Sequence, residues 1–249
     1  MLTTSRIGMA ARVALCVALG VACLRAPAAT IYETADPFGG FFGLWGYDVF
    51  ALQSVGLRFT PDKAYNLDEV ALWFMSNDWD GTNPAQVTIT LRNDKVVNGN
   101  STPGDVVYEQ WQFTISAVGW APALEHMAST QHPLLLGGVN YWIVAESPAT
   151  GDNAVWNIAG TGTGFVANTD LGGDWYPGGT GAVVCTIVKG RVAGDINGDG
   201  SVDQSDLGLL LAAFGTCEGD RDYNRAADID GDGCVGQSDL GLLLANFGS

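Results

Sequence analysis

The feature of the sequence that most constrains its fold is a unit of 23 residues written twice near the end of the chain. Residues 193–215 read AGDINGDGSVDQSDLGLLLAAFG, and residues 226–248 read AADIDGDGCVGQSDLGLLLANFG. The copies differ only at Gly194/Ala227, Asn197/Asp230, Ser201/Cys234, Asp203/Gly236 and Ala213/Asn246. Chance does not produce such a match, so we expect both copies to form the same local structure.

Each copy opens with an acidic loop whose spacing fits a calcium ion. Calcium takes about six to eight oxygen ligands, which a tight loop supplies from positions 1, 3, 5, 7 and 12, with water at position 9. Position 6 must turn the chain sharply, and Gly200 and Gly233 stand there. At position 12 an aspartate replaces the usual glutamate. We therefore predict two calcium ions, with these donors: Asp195, Asn197, Asp199, the Ser201 carbonyl, Asp203 through water and Asp206 in the first loop, and Asp228, Asp230, Asp232, the Cys234 carbonyl and Asp239 in the second.

A short helix is expected after each loop. In the first copy the apolar residues Leu207, Leu210, Leu211 and Phe214 recur at helical spacing, which predicts one stripe for burial. Gly215 and its counterpart Gly248 stand where a left-handed residue ends a helix. The residues before the first loop, KGRVAG, are too rich in glycine for an entering helix. Each copy is therefore half of an EF-hand, and Val202 and Val235 are expected to add a contact between the loops.

Composition changes sharply near residue 190 and indicates a domain boundary. All eight tryptophans precede it, whereas residues 191–249 carry ten Asp and one Glu against three Arg, a net charge of −8 within a chain total of −16. Such an acidic chain is a poor ligand for nucleic acid, because that affinity comes from neutralising phosphates with Lys and Arg. We expect a domain at residues 29–190 and a calcium-binding domain at residues 191–249.

Residues 1–28 are expected to be a signal peptide. Arg6 and Arg12 precede a short apolar run, and Ala26-Pro27-Ala28 offers a cleavage site between small residues. The apolar run is shorter than the ~20 residues that cross a bilayer, and no later run is long enough. We therefore expect a secreted protein whose mature chain has no transmembrane span; the alternative is that this segment stays uncleaved as an anchor helix.

The pattern of residues 29–190 predicts a β-sandwich. Segments that alternate apolar and polar residues, such as QVTITLRN and VNYWIVAES, are separated by turn clusters such as NDWDGTNPA and NGNSTPGD. Many short strands without helices between them favour two packed sheets of jelly-roll type. The expected fold is thus mainly β, with a small α-helical tandem of half EF-hands at the end.

The mature chain keeps three cysteines, Cys185, Cys217 and Cys234. A disulfide between Cys217 and Cys234 is the preferred pairing, since one follows the first repeat and the other lies in the second. The sequence alone does not fix this connectivity. Trp79 and Trp120 lie in turn-rich stretches, where they are candidates either for stacking on sugar rings or for covering an end of the core.

The tandem DINGDGSVDQSDLGLLLAAFG and its twin resemble the type I dockerin domain, in the cysteine-containing variant of bacterial surface proteins. The resemblance covers residues 191–249. It implies calcium binding and a cohesin-like or cell-envelope partner, contacted by the residue pair before each last ligand: Gln204 and Ser205, and Gln237 and Ser238. Two equivalent faces would allow either orientation of docking. The basic residues that dockerins often place on their helices are absent.

The larger segment resembles, more faintly, the choice-of-anchor β-sandwich domains of bacterial surface proteins, through SVGLRFTPDKAYNLDEVALWF and GGVNYWIVAES. We see no constellation of catalytic residues and expect a secreted, non-catalytic protein. Its tail would dock the protein to a partner, which can itself be on the cell surface. The sandwich would then be the displayed domain. The alternative is a polysaccharide-binding or polysaccharide-degrading component of an extracellular complex.

Overall fold

A computed structural model describes residues 28–38, 44–151, 153–162, 164–169, 172–179 and 182–249. Almost all of the expected signal peptide, residues 1–27, lies outside the described residues. Within them, no helix is both long enough and apolar enough to cross a membrane.

The described part of the chain forms β-strands up to residue 192 and helices only after it. The strands are β1 Ala29–Glu33, β2 Gly46–Val49, β3 Val55–Phe59, β4 Tyr65–Ser76, β5 Gln86–Val97, β6 Asn100–Thr114, β7 Ala123–Ala128, β8 Leu134–Leu135, β9 Tyr141–Glu146, β10 Ala154–Asn157, β11 Phe165–Thr169, β12 Trp175–Gly179 and β13 Thr186–Val192. The helices are α1 Gln204–Ala213 and α2 Gln237–Ala245.

The strands build two antiparallel sheets. The first has the order β1-β13-β4-β10-β2, with β7 and β8 also paired to β4, and the second has the order β12-β11-β3-β9-β5-β6. The chain repeatedly crosses between the sheets, from β3 to β4 to β5 and from β9 to β10 to β11, as in jelly-roll sandwiches. The predicted fold class, a β-sandwich followed by a small helical tail, is confirmed.

Strand β4 shows why the sequence folds into layers. Its inward residues Leu67, Val70, Leu72 and Phe74 are fully buried in the shared core. The spacing between Leu67 and Val70 breaks the alternation of two, and the pairing with β13 shifts register at the same place. This irregularity acts as a β-bulge and keeps apolar side chains on the core face along the whole strand.

The tail packs directly onto the sandwich. Strand β13 runs through Val192, two residues past the expected boundary at 190, and the Ala193 amide donates to the Ala64 carbonyl at 2.9 Å. The sandwich residues Ala64 and Leu134 pack against the core of the tail. The side-chain amide of Asn66 donates to the Ile229 carbonyl in the second loop, at 3.2 Å. The tail core is therefore completed by the sandwich.

The predicted apolar stripe of the first helix is partly wrong. Leu210 is fully buried and Leu207 is half-buried, but Leu211 is 54% exposed and Phe214 is also exposed. The inward face instead runs through Asp206, Leu210 and Ala213, because Asp206, the third residue of the helix, points inward to accept from the amides of the acidic loop. The helix ends at Ala213, which leaves Phe214 in an extended conformation.

Candidate metal centre and docking face

The first acidic loop is organised around the carboxylate of Asp195. One oxygen accepts from the backbone amides of Gly198 and Asp199 at 2.8 and 3.1 Å, and the other accepts from the Gly200 amide at 3.1 Å. Gly200 has φ +94, which an L side chain rarely adopts, so the glycine at position 6 is required. Burial raises the pKa of Asp195 above its ordinary value, although these amides oppose the shift. A cation beside it would stabilise its charged form.

The second loop brings three carboxylates together. Ligand oxygens of Asp228, Asp230 and Asp232 all lie within 4.8 Å of one another. One oxygen of Asp228 is buried without a hydrogen-bond partner, while the other accepts from the Tyr223 hydroxyl at 2.7 Å and from the Gly233 amide at 3.1 Å. A buried carboxylate oxygen without a partner, beside two further carboxylates, is the donor set that a hard divalent cation satisfies. The residues present therefore fit calcium.

The last predicted ligands, Asp206 and Asp239, occupy equivalent buried positions. One oxygen of Asp206 accepts from the amides of Ile196 and Asn197 at 2.8 and 3.0 Å, and the other accepts from the Asp203 amide at 2.9 Å. Asp239 repeats this pattern with Ile229, Asp230 and Gly236. Each carboxylate thus ties the start of its loop to the start of its helix. Asp239 lies outside the group of three carboxylates in the second loop.

Position 9 distinguishes the two copies. Asp203 accepts from the Ser205 amide at 2.7 Å and so caps helix α1. The sequence predicted only a contact to calcium through water for this residue. Gly236 has no side chain and leaves helix α2 without that cap. Position 7 also differs: Ser201 stands in the first loop, and Cys234 in the second forms a disulfide with Cys217. Cys185 is a free, buried thiol, and burial raises its pKa to about 12.

Each loop pairs with the end of the helix from the other repeat. Val235 accepts from the Gly215 amide at 2.8 Å and donates to the Thr216 carbonyl at 2.8 Å, just beyond α1. Val202 accepts from the Gly248 amide at 2.8 Å and donates to the Ser249 carbonyl at 3.1 Å, just beyond α2. Both valines are buried in the tail core. Both valines therefore belong to one shared core, and the backbone pairing is exchanged between the repeats.

The residues predicted to contact a partner all lie on the surface. Gln204 and Ser205 are exposed at the start of α1, and Gln237 and Ser238 are exposed at the start of α2. One helical turn further, Gly208 and Gly241 are exposed, and nothing lies within 4 Å of where their Cβ atoms would be. Leu211 and Leu244 continue the same faces, each 54% exposed. We call each of these two sets, one on each helix, a helix face: Gln204, Ser205, Gly208 and Leu211, and Gln237, Ser238, Gly241 and Leu244.

The two candidate sugar-stacking residues lie side by side. The ring centroids of Trp79 and Trp120 are 5.8 Å apart with an angle of 33° between the planes. Their side chains are strongly exposed, so they cover little of the core. In contrast, Trp142 and Trp156 are fully buried, as expected for core aromatics.

The carboxylates and histidines of the sandwich are engaged in local contacts. Glu109 is buried and accepts from the Ser129 hydroxyl at 2.6 Å and from backbone amides of the following turn. Glu146 pairs with Arg92 at 2.6 Å, and His126 contacts Glu69 at 2.7 Å. Hydrogen bonds and ion pairs to neighbouring residues therefore explain where the side chains of Glu109, Glu146 and His126 lie.

Tyr223 and Asn66 contact the second loop and were not singled out from the sequence. Tyr223 lies five residues before Asp228, in a segment without a counterpart in the calcium-loop pattern, and Asn66 lies in a distant strand. No signal in the sequence links either residue to the loop. Both are found only once the fold is known.

A tandem of calcium loops, each followed by one helix, defines the class of the tail. Comparison with known families gives the same answer: residues 193–247 match the model of the Dockerin type I domain. The tail is therefore a dockerin type I domain, a kind of domain that binds calcium and docks its protein to a cohesin-type partner in extracellular complexes. No curated protein matches the chain.

Proposed function

We propose that this chain is a secreted, non-catalytic component of an extracellular assembly, in which two calcium ions shape the tail and the tail holds the protein to a cohesin-like partner. The sandwich is the displayed part. The observation that carries the proposal is the carboxylate cluster of the second loop, whose sequence pattern the first loop repeats, together with an exposed helix face after each loop.

The two acidic loops, the predicted calcium cages, support a role for calcium in the shape of the tail. Without a cation, carboxylates at about 4 Å from one another repel by about 4 kcal/mol at an effective dielectric near 20. The second loop holds three such groups within 4.8 Å. Each loop also sets the start of its helix, through Asp206 in the first copy and Asp239 in the second. Filling the cages therefore stabilises the helix faces that lie directly after them.

The composition of the faces indicates what kind of partner surface they fit. Each face combines a Gln-Ser pair with an exposed leucine and an exposed glycine, and carries no charged side chain. The glycine lets the partner approach the helix backbone, and the leucine offers apolar area for burial. A partner surface that is apolar at its centre and has hydrogen-bonding groups at its edge would be complementary.

The first experiment measures calcium binding by calorimetry on the chain from residue 29 onward. We expect a stoichiometry of two ions and a loss of tail structure in EDTA. The second experiment passes the same protein over immobilised type I cohesin domains, in calcium and in EDTA. We expect retention in calcium and elution when the ion is chelated.

Substitutions on the helix faces test the docking surface itself. Leu211→Glu and Leu244→Glu each place a charge on one helix face and remove its apolar side chain. We expect each single variant to be retained on the resin through the other face. The double variant should be lost from the resin. Val106→Glu is the matched control, because Val106 has the same 54% exposure but lies on the sandwich. Equal retention of the double variant and the unmodified protein, or retention that is unaffected by EDTA, would contradict the proposal.

A further inference from the structure

A pair of tryptophans on the sandwich is strongly exposed to solvent. Trp79 is 69% exposed and Trp120 is 46% exposed. Large aromatic side chains normally bury most of their area, because exposing it to water costs free energy. The two ring centroids are 5.8 Å apart, and Val118, two residues before Trp120, is also exposed, so this part of the surface is apolar. We call Trp79, Trp120 and Val118 the tryptophan platform.

The tryptophan platform is held in place by the two loops that carry it. The Gly119 amide donates to the Asp78 carbonyl at 2.8 Å, and the Gly119 carbonyl accepts from the Ser76 amide at 2.9 Å. The indole N–H of Trp120 donates to the side chain of Asn77 at 3.0 Å. These bonds join the loop after β4 to the loop before β7. The rings are therefore positioned before any ligand arrives, which lowers the entropic cost of binding.

Gly119 packs closely against the indole ring of Trp79. A Cβ atom at this position would lie 3.0 Å from the Trp79 ring, and the residue has φ +58. Any side chain at Gly119 would displace the ring and strain the turn. The Trp79 ring thus lies against the loop backbone at Gly119.

The charge around the tryptophan platform selects among ligands. The loops at residues 76–85 and 115–122 contain Asp78 and Asp80 but neither lysine nor arginine. Nucleic acids and polyuronates are anionic and need cationic partners, so this surface disfavours them. The platform is also much smaller than the ~800 Å² that each partner buries in a standard protein interface.

A sugar ring matches the remaining requirements. The C–H groups on the face of a pyranose are apolar and pack on an indole, while its hydroxyl groups point outward in the plane of the ring. Asp80 is exposed and follows Trp79 in the sequence; one carboxylate oxygen accepts from Thr82, and the group has further acceptor capacity for such hydroxyls. Two adjacent rings offer a longer stacking surface than one, which suits a chain of sugars better than a single sugar.

We infer that the tryptophan platform is a binding site for a neutral polysaccharide. The inference goes beyond the docking proposed for the tail and does not depend on it. Together the two activities would place a glycan-binding sandwich and a protein-binding tail on one chain.

The test uses the chain from residue 29 onward. Retention is measured on insoluble cellulose and by gel electrophoresis through xylan, mannan and soluble β-glucan, with polygalacturonate as the anionic probe. We expect at least one neutral polysaccharide to retain the protein and polygalacturonate to retain it least. Trp79→Ala and Trp120→Ala should each weaken retention by about tenfold or more. Retention should persist in EDTA and without a cohesin domain, which separates this result from the docking test.

Two further variants guard against loss of fold. Trp45→Ala is the matched control, because Trp45 is 62% exposed but lies directly before β2, at the far end of β10 from the platform. It should bind as the unmodified protein does. Gly119→Ala keeps both indoles but displaces one, and it should weaken binding while the thermal transition of the sandwich remains. The inference fails if no neutral polysaccharide is retained, if the platform variants bind as tightly as Trp45→Ala, or if polygalacturonate is retained best.

Discussion

Removal of the last two residues, Gly248 and Ser249, is expected to weaken calcium binding at the first loop, more than forty residues away in the sequence. The Gly248 amide and the Ser249 carbonyl make the two backbone hydrogen bonds to Val202, at 2.8 and 3.1 Å. Val202 is fully buried and lies three residues past Asp199, a predicted ligand of the first loop. Among the described residues, no other protein group pairs with its backbone, so only water can replace these two hydrogen bonds.

The size of the effect follows from the cost of unpaired backbone groups. A hydrogen bond contributes about 0.5–1.5 kcal/mol net, and a buried group left without a partner costs about 1–3 kcal/mol. Water will reach Val202 in the shortened chain, so we take the lower part of this range, about 2 kcal/mol in total. If the cost falls on the calcium-bound loop, the affinity of the first site drops roughly thirtyfold.

Calorimetric titration of the shortened chain with calcium is the assay. We expect one of the two binding steps to weaken and the other to stay within about twofold, because Val235 in the second loop pairs with Gly215 and Thr216 instead. Ser249→Ala is the control, since it keeps the backbone carbonyl that accepts from Val202. The exchanged pairing would be refuted if the shortened chain titrated like Ser249→Ala, or if both steps weakened equally.

Three other substitutions or treatments address the tail. Gly236→Asp should give α2 the cap that Asp203 gives α1, because Gly236 has a matching backbone conformation (φ −139, ψ −159) and open space at its Cβ. We expect the free energy of unfolding in urea to rise by a few tenths of a kcal/mol. A lower free energy of unfolding would contradict the capping argument. Reduction of the disulfide between Cys217 and Cys234, which are separated by 17 residues, should lower the free energy of unfolding of the tail by about 3 kcal/mol, seen as an earlier thermal transition that leaves the sandwich transition in place. Asp228→Asn preserves shape but removes charge from the second cage, so one calcium step should weaken about tenfold or more in calorimetry; two unchanged steps would argue against Asp228 as a ligand.

The acidic loops could be predicted from sequence because their chemistry is local. A calcium loop draws its ligands from a dozen consecutive residues, so Asp195 and Asp228 are identified by spacing and by the glycines alone. The sandwich was predictable for a related reason, since alternation along strands such as β6 indicates one buried face. Both signals depend on neighbours in the sequence.

The orientation of α1 and the contact between the two tryptophans could not be predicted from the sequence, because both depend on residues far apart in the chain. The apolar spacing of α1 is compatible with more than one inward face, and the choice was made by the Asp206 carboxylate, which must point toward its loop. That rotation exposes Leu211, which sequence alone placed in the core. Trp79 and Trp120 were candidates individually, but their contact depends on two loops joined through Gly119.

The position of β13 between β1 and β4 has a mechanical consequence. If a partner holds the tail while fluid flow or a bound polymer pulls on the sandwich, the force is transmitted through Val192, where β13 meets the tail. A pull along this strand loads both flanking hydrogen-bond ladders at once, in shear, so many bonds share the force. The protein is thus attached through an interior strand, and pulling on the tail cannot simply peel away an edge of the sheet.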